Sequence, residues 1–572
     1  MPAEVFFISK KSSKKINLNE FIDKNSIQLR DEFLTKIQNL SKKKFLKKNL
    51  KDHFQFNKHI NLWELSHIYE KNIFKEDYIN ICLHYLAILM IVKNYKLKKI
   101  ILNNIDTEVS KILKKYNNDI KFEIHTQNEI KLKKFLKIFL LGNWFFSTLF
   151  FIKNNLFTFK NYSKNDHNKK NLIISYFCHY EKNFIKKSYF VSNHWKGLEK
   201  IIRKNFFYLN LFVASKEFKT YKKLKKNLSN KNLNLQEQNF LNNYFSFIDL
   251  IKTIFVSFFY SSKFSFIYIF LKMENRPQIE LLELTYKIQK RSFSGITCYE
   301  NLKCFYSLKN FFKFNPNIKN CIYLMENHSW EKILIKFCFF NKITSYGYVH
   351  ATMPFWHLNY YQTKISNKKN LNLPNKILTV SKFNMKLLKK QGIKTNKIKL
   401  VEALRYNWLN KYKKIENYNK NLKKILIFGD YEKKINEKLI ELMVNFLLEN
   451  KDYIIHFKPH PGDTKDYHKI NNKIKIIYDL PKKLKFSFFI FSNSTSASAE
   501  YTHLTDNIAI FKSKFSINLS PFKDLTNNKI FFSNENELLD IINSNQKKKF
   551  ENFFYINNKL INWKKLIYSE KF

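Results

Sequence analysis

Short apolar runs alternate with helix-period segments along much of this chain, and the alternation sets its first expectations. A strand is expected near 3–8, in the stretch EVFFIS, followed by a lysine-rich stretch and 3.6-period apolar positions from about Trp63 to Val92. Strands near 98–103 (KKIILN) and 120–125 (IKFEIH) flank a helix reaching about 117. The pattern resumes with a strand at 171–176 (NLIISY), a helix near 196–204 and a strand near 206–213, whereas 234–312 reads as mostly helical. From 321 the signal sharpens. Strands are expected at 321–325 (CIYLM), 343–349 (ITSYGYV), 376–380 (KILTV) and 397–401 (KIKLV), with a helix reaching Lys390 between the last two. A fresh series begins at 424: KILIF, a helix near 434–449, YIIHF (453–457), KIKII (473–477), FSFFIF (486–491), a helix from about Thr495, and NIAIF (507–511). Short apolar strands alternating with amphipathic helices predict parallel, doubly wound sheets. Two such series, joined near 403–423, predict an α/β protein of two Rossmann-like lobes. The first lobe covers 1–402 with helical or apolar insertions at about 131–160 and 234–312; the second covers 403–572. At 572 residues the chain exceeds what one core supports.

Two stretches are too apolar for an ordinary surface. Ile138 to Ile152 (IFLLGNWFFSTLFFI) carries no charge and is flanked by Lys131, Lys133, Lys134, Lys137 and Lys153. It falls short of the ~20 residues needed to span a bilayer, which leaves an interfacial helix or a buried core helix. Thr253 to Leu271, interrupted by Lys263, poses the same alternatives.

Composition changes the picture only partly. The formal charge is +56, from 102 basic and 46 acidic residues, which by itself suggests nucleic acid or an anionic membrane surface. Yet the only arginines are Arg30, Arg203, Arg276, Arg291 and Arg405, and bidentate recognition of phosphate and guanine favours arginine. Specific nucleic-acid binding is therefore not expected. Lysine, asparagine, isoleucine and phenylalanine are in joint excess while glycine falls to 7, the mark of AT-rich codons. Much of the charge is then a solvated lysine coat, favouring anionic lipid in a diffuse, salt-screened way. Under such drift a surviving Arg or Gly answers a physical need, which singles out Gly347, Gly429, Gly462 and Arg405. The six cysteines (Cys82, Cys178, Cys298, Cys304, Cys321, Cys338) form no CxxC pair and no metal-ligand spacing. Together with an N-terminus lacking a signal-peptide apolar region, they set the expectation of a cytoplasmic protein, peripheral on the inner membrane if an apolar stretch touches lipid.

In open parallel sheets ligands sit beyond the carboxyl ends of the strands, so polar residues just after strands carry the candidate chemistry. KPHPGD (Lys458 to Asp463) follows strand 453–457, and its prolines present His460 rigidly. That imidazole can protonate a leaving phosphate, or bind it as a cation; the alternative is a turn with an incidental histidine. In SNSTSASAE (Ser492 to Glu500), the hydroxyls of Ser494, Thr495 and Ser496 stand where a helix would begin. They suit an anion, or serve as an ordinary cap. ENHSWE places Glu326 as a general base or as a helix cap, Glu331 as a cap or lysine partner, and Trp330 as an acceptor contact or core. In GYVHATMPFWHLNYY (Gly347 to Tyr361), His350 follows its strand, and Trp356 and His357 sit in a loop whose aromatic faces suit sugar rings or packing between lobes. Arg405 in EALRY suits phosphate or carboxylate, or a structural bridge at the hinge. Gly429, with Asp430 in FGDY, allows close approach of backbone to ligand. No GxxxxGK[ST], HExxH or G-x-S-x-G occurs near these sites.

In this order the motifs resemble a family of bacterial surface carbohydrate biosynthesis proteins. More distantly they resemble the GT-B transferases of capsule, sialic acid and poly-glycerolphosphate assembly, which share an HP motif and a downstream Ser/Thr motif. LWELSHIYEKN (Leu62 to Asn72) looks like the family's tryptophan-containing N-terminal signature, and the likeness is strongest from 321 to 525. The resemblance implies a GT-B-type fold and metal-independent transfer of a sugar from a nucleotide-activated donor to a surface polysaccharide (capsule or O-antigen) or a lipid-linked glycan. No cofactor is implied beyond the nucleotide sugar as substrate. Carried over residue by residue, it implies donor-phosphate binding by His460, Ser494, Thr495 and Ser496, with Lys458, Gly429 and Arg405 beside them. The acceptor then falls to the N-terminal lobe, with Glu326 and His350 as catalytic candidates and Trp330, Trp356 and His357 as contacts. Two other readings stay open: a nucleotide-sugar epimerase on the same fold, and a non-enzymatic basic protein of the membrane surface.

Overall fold

The computed structural model describes residues 2–9, 12–75, 77–125, 142–155, 169–177, 192–202, 206–214, 218–229, 238–273, 279–361, 372–412, 414, 423–460, 462–463, 467, 474–480, 484–523, 530–544, 550 and 552–569. The N-terminal part builds a small mixed sheet of its own. Strands β1 (Glu4–Ser9) and β2 (Ser12–Asn17) form an antiparallel pair. Helices α1 (Leu18–Lys24) and α2 (Ser26–Lys42) follow, then a hairpin of β3 (Lys44–Phe45) and β4 (Lys48–Asn49). The single helix expected from Trp63 to Val92 is two, α3 (His67–Glu70) and α4 (Tyr78–Tyr95). Lys71 takes a left-handed conformation, φ 55°, and ends α3 after one turn, which releases the segment to Asp77 from helical geometry. Helix α4 is apolar all round because it is buried in the core. β5 (Lys99–Asn103), α5 (Thr107–Tyr116) and β6 (Lys121–His125) complete the sheet, ordered β2-β1-β5-β6.

The central sheet is wholly parallel. After α6 (Gly142–Asn155) come β7 (Asn171–Tyr176), α7 (Glu199–Ile202), β8 (Phe206–Leu211), α8 (Tyr221–Ser229) and β9 (Gln238–Phe240). The expected helical stretch then forms α9 (Phe247–Met273), α10 (Glu280–Leu284), α11 (Tyr286–Ser294) and α12 (Ile296–Phe314). β10 (Asn320–Leu324), α13 (Ser329–Phe340), β11 (Thr344–Val349), β12 (Lys376–Thr379), α14 (Lys382–Lys390) and β13 (Ile398–Leu400) follow. The order is β13-β12-β11-β10-β7-β8-β9, so the sheet reverses direction between β7 and β10, where a doubly wound sheet opens a crevice.

The C-terminal sheet repeats this logic with β14 (Lys424–Phe428), α15 (Lys433–Glu449), β15 (Ile454–Lys458), β16 (Ile474–Ile476) and β17 (Phe488–Ser492). Next come α16 (Ala497–Tyr501), β18 (Ile508–Phe511), β19 (Phe531–Phe532), α17 (Glu535–Asn543) and α18 (Ile561–Ser569). Its order, β16-β15-β14-β17-β18-β19, puts the reversal between β14 and β17. The two doubly wound, Rossmann-like sheets are those the sequence predicts.

Alternation along the strands joins the lobes. Ile425 and Ile427 face α15 and α17, whereas Leu426 and Phe428 turn to a core that also holds Ile322, Leu324, Tyr346 and Tyr348 of the central sheet. Helix α18 closes that shared core. The buried Glu402 carboxylate accepts from the Asn562 and Trp563 N–H groups at 2.8 and 3.1 Å, satisfying two donors of the first turn of α18. Trp563 is fully buried, its ring edge-on to Tyr348 at 5.2 Å and its Nε1–H donating to the Glu402 carbonyl. On the other side Asn17 and Asn19 donate to the Lys514 carbonyl, and Asp23 accepts from the Asn518 N–H. Trp563→Ala therefore removes about 3–5 kcal/mol of packing at the lobe junction. Urea denaturation is expected to show a lower midpoint for this variant; an unchanged midpoint would mean that α18 does not hold the lobes together.

Candidate active site

The carboxyl edge of the central sheet carries an alternating chain of carboxylates and imidazoles. After β10, Asn327 adopts a left-handed conformation (φ 59°), which Asn tolerates better than most residues, and the chain turns sharply into α13. Glu331 folds back on that turn and accepts from the backbone N–H groups of Glu326, Asn327 and His328 at 2.9–3.2 Å. Burial pushes its carboxyl up to about 8. The turn brings Glu326 and His328 together: His328 Nε2 lies 2.8 Å from Glu326 Oε2, and His328 Nδ1 lies 2.6 Å from Glu70 Oε1. Lys75 completes the row, 2.7 Å from Glu70. On the other flank His350, after β11, holds Nε2 3.7 Å from Glu326 Oε1, and the His194 ring stands edge-on to His350 at 4.6 Å.

The charges are self-consistent. Burial opposes a charged His328, but Glu326 and Glu70 outweigh it and raise its pKa to about 9. Burial likewise favours a neutral Glu326, yet His328 and His350 hold it down at about 2. Glu70 is held well below the usual carboxylate range, against burial, by His328 and Lys75. Of the central pair Glu326 is the more open, its side chain 35% exposed against 13% for His328. A fixed, partly exposed carboxylate thus stands against a more deeply set imidazolium.

The carboxyl edge of the C-terminal sheet carries the second cluster. Asp430, buried after β14, accepts from the Ser494 hydroxyl after β17 and, through Oδ1, from the Glu432 N–H at 2.8 Å. Asn436 of α15 receives the Asp430 N–H at 2.5 Å and donates to Asp463 at 2.7 Å. His460, half-buried after β15, accepts the Gly462 N–H on Nδ1 at 3.0 Å. An occupied Nδ1 lone pair places the ring proton on Nε2 and disfavours a second one. Burial also lowers its pKa, with Asp430 acting the other way. His460 is thereby set up as an Nε2–H donor, an arrangement that favours a hydrogen bond to an anion. Tyr431, 70% exposed, stands edge-on to His460 at 5.9 Å.

The structure brings His460 and Ser494 to one place, on either side of β14, with Asp430 acting on both. It brings Glu326 and His350 together in the other cluster. Lys458 ends β15 beside His460, where its charge also lowers that histidine. The Ser494 hydroxyl donates to Asp430 and the Thr495 hydroxyl accepts from the Ala497 N–H at 3.4 Å, while Ser496 is exposed. α16 begins only at Ala497, so all three lie in the turn before it rather than on the expected helix. Gly429 has a packing reason: a Cβ there would lie 2.8 Å from Phe457 Cζ and 3.1 Å from Asn436 Oδ1. Arg405 is exposed at the junction, over the Tyr406 ring, and acts on Glu500, whose carboxyl burial raises to about 7; this favours the hinge reading over phosphate. Trp330 donates to Tyr176 OH at 2.8 Å and so ties the start of α13 to the end of β7. Trp356 is wholly buried, with Lys523 over its ring. It is packing between lobes and offers no face to a sugar. His357, lowered to about 4 by burial, packs edge-on to Phe74.

Sequence reading missed Glu70, His328 and Asp430 as site residues. Each lay inside a quoted motif, but nothing local pairs Glu70 with a residue 258 positions away. Glu70, at the end of α3, binds His328, and the Glu432 carboxyl of the C-terminal lobe is raised by burial, by Asp430 and by the Asp77 charge. Among the described residues no three His, Cys, Asp or Glu side chains are grouped as a metal site.

No family model matches this chain, and no curated protein does. Solved structures give distant likenesses. The UDP-GlcNAc 2-epimerase of Methanocaldococcus jannaschii is 14% identical, with 70% of this chain and 99% of that one covered and a TM-score of 0.39. S. aureus MnaA, solved with UDP, gives 10%, 70%, 97% and 0.39. The glycotransferase of kitacinnamycin gives 7%, 65%, 89% and 0.33. Scores this low leave the reading of the site to its own geometry.

The charge on His328 makes one pH dependence specific. Its pKa is raised in the folded state, so its stabilising contribution is complete below about 6.5 and is lost as pH rises through about 9. Melting temperatures of the wild type and His328→Gln should differ most near pH 6 and converge toward pH 10. A gap constant across that range would mean that His328 is not charged in the fold.

Proposed function

We propose that the protein is a glycosyltransferase that moves a sugar from a nucleotide-activated donor to a glycan or lipid-linked glycan acceptor, without a metal ion. One observation carries this reading. The carboxyl edges of two doubly wound sheets each bear a polar cluster, one built to donate to an anion and the other to take a proton. The donor diphosphate meets the Nε2–H of His460, the Lys458 ammonium and the hydroxyls of Thr495 and Ser496. Tyr431 offers an open ring face beside them for base or sugar.

In the transfer step the acceptor oxygen bonds to the anomeric carbon as the bond from that carbon to the phosphate oxygen breaks. The electron pair leaves on the nucleotide, where the His460 N–H stabilises the growing charge. Glu326 takes the acceptor proton. Its low pKa makes it a weak base in the free protein, but the hydroxyl becomes strongly acidic as its oxygen bonds to carbon, so an ionised and fixed carboxylate suffices. His328 and His350 hold it in place. The carboxylates Glu326, Asp430 and Glu432 also favour a second reading, a nucleotide-sugar epimerase, which needs acid and base groups on the donor itself.

A thermal-shift panel of CMP, CDP, UDP and GDP should show stabilisation by one nucleotide class, weakened at least about tenfold in affinity by His460→Ala. Glu326→Gln should keep nucleotide binding and lose about 10²–10⁴ in kcat. Labelled donor should yield a lengthened glycan and free nucleotide; an isomerised donor with no transfer would establish the second reading. A fully active His460→Ala would remove the mechanism.

A further inference from the structure

Helix α9 is apolar on its exposed face as well as on its buried one, where Leu250, Tyr260, Phe264, Ile267 and Leu271 enter the core. Its inward face carries Thr253, Ser257, Ser261 and Ser265, four residues apart and all buried. Its outward face carries Ile251, Phe255, Phe258, Phe259, Phe266, Ile269, Phe270 and Met273, all exposed, with Phe255 at 70%. A helix solvated on that side would show the reverse, since each of these side chains gains by leaving water. The small residues let α9 pack closely on its neighbours, as where the Trp144 Nε1–H donates to Ser257 at 3.0 Å.

The apolar surface does not stop at α9. Helix α6 packs beside it, Trp144 edge-on to Phe258 at 5.0 Å, and exposes Phe145, Phe146, Leu149 and Phe150, with Phe146 at 62%. At the other end Phe45 of the β3–β4 hairpin packs against Phe266 and Phe270 at 6.1 and 5.1 Å, and its turn exposes Leu46. The surface therefore runs along the whole of α9, 27 residues or about 40 Å. Such a contiguous apolar surface marks a partner.

Lysines edge it on every side. Lys252 and Lys272 on α9, Lys153 at the end of α6, and Lys44, Lys47 and Lys48 on the hairpin are all exposed. Lys263 lies over the Phe259 ring and feels the Lys48 charge. Apolar side chains within a cationic border complement a bilayer whose headgroups are anionic and whose acyl chains lie just beneath. A second copy of the chain would set these like charges against each other. α9 is long and apolar enough to cross a membrane, but its inner face is packed within the protein, so it can only lie along a surface.

We propose that α6, α9 and the β3–β4 hairpin form a docking face that seats the protein on an anionic lipid bilayer, α9 lying in the interface plane. The two segments that sequence reading left between membrane and core are both at once, one face in the core and one toward lipid. Residues 138–141 of the first lie outside the described residues. This inference stands apart from the activity, since none of these residues belongs to either cluster.

Sedimentation of the full-length protein with vesicles tests it. Phosphatidylcholine vesicles containing phosphatidylglycerol should carry the protein down, and vesicles of phosphatidylcholine alone should bind at least about tenfold more weakly at low salt. Phe255→Glu with Phe259→Glu should lower binding to the anionic vesicles more than about tenfold while leaving the melting temperature unchanged. Should that double variant misfold, Lys252→Glu and Lys272→Glu should each weaken anionic-vesicle binding about fivefold. Protein remaining in the supernatant with both vesicle types would overturn the proposal. So would equal binding by wild type and variants, or a lipid-free dimer in light scattering that Phe255→Glu dissociates.

Discussion

A protonated imidazole held between two buried or half-buried carboxylates is the constraint on which the rest of this structure depends. His328 receives one carboxylate from the turn after β10 and the other from α3, in a different sheet unit. Removing either partner would take from His328 one of the two carboxylates that offset the cost of burying its charge. The contact therefore fixes the N-terminal unit against the central sheet. It also fixes the conformation of Glu326, the more exposed of the two carboxylates. Structure and chemistry share one pair of interactions here.

The C-terminal lobe solves a different problem by similar means. A donor diphosphate needs groups that give hydrogen bonds, yet the deepest residue of this cluster, Asp430, is an acceptor. Its role is to orient. It accepts from the Ser494 hydroxyl and the Glu432 N–H, and its charge reaches His460. The Gly462 N–H then decides which nitrogen of His460 faces outward with a proton. The result is a neutral, aimed donor rather than a second fixed cation. Such a donor can release a departing phosphate once its charge is neutralised, which a buried ion pair would resist.

Much of the fold was legible because parallel strands buried on both faces leave unbroken apolar runs. Strands 171–176 and 424–428 needed no correction, and neighbouring ones moved by one or two residues. The lysine-rich stretch after the first strand hid β2, α1 and α2, whose apolar positions are diluted by surface lysines. The helix expected from Trp63 to Val92 was broken by a left-handed Lys71 that no glycine announces. Within the site, residues directly following strands could be named, as Glu326, His350, His460 and Ser494 were. Glu70 could not, since its role exists only once α3 docks against the turn after β10. Trp356 misled because an aromatic loop reads the same whether it faces a ligand or a core. The surviving glycines did answer a physical need, but at Gly429 and Gly347 the need is close packing, against Phe457 and Met325 respectively.

Everything functional in this account converges on the claim that nucleotide binds at the carboxyl edge of the C-terminal sheet, around β14. Amide hydrogen exchange with and without a saturating nucleoside diphosphate measures that most directly. The account predicts protection concentrated in Gly429–Glu432, Gly462–Asp463 and Asn493–Ser496, with β16, β19 and α17 unchanged. Protection confined to the central sheet, or to the outer face of α9, would contradict it.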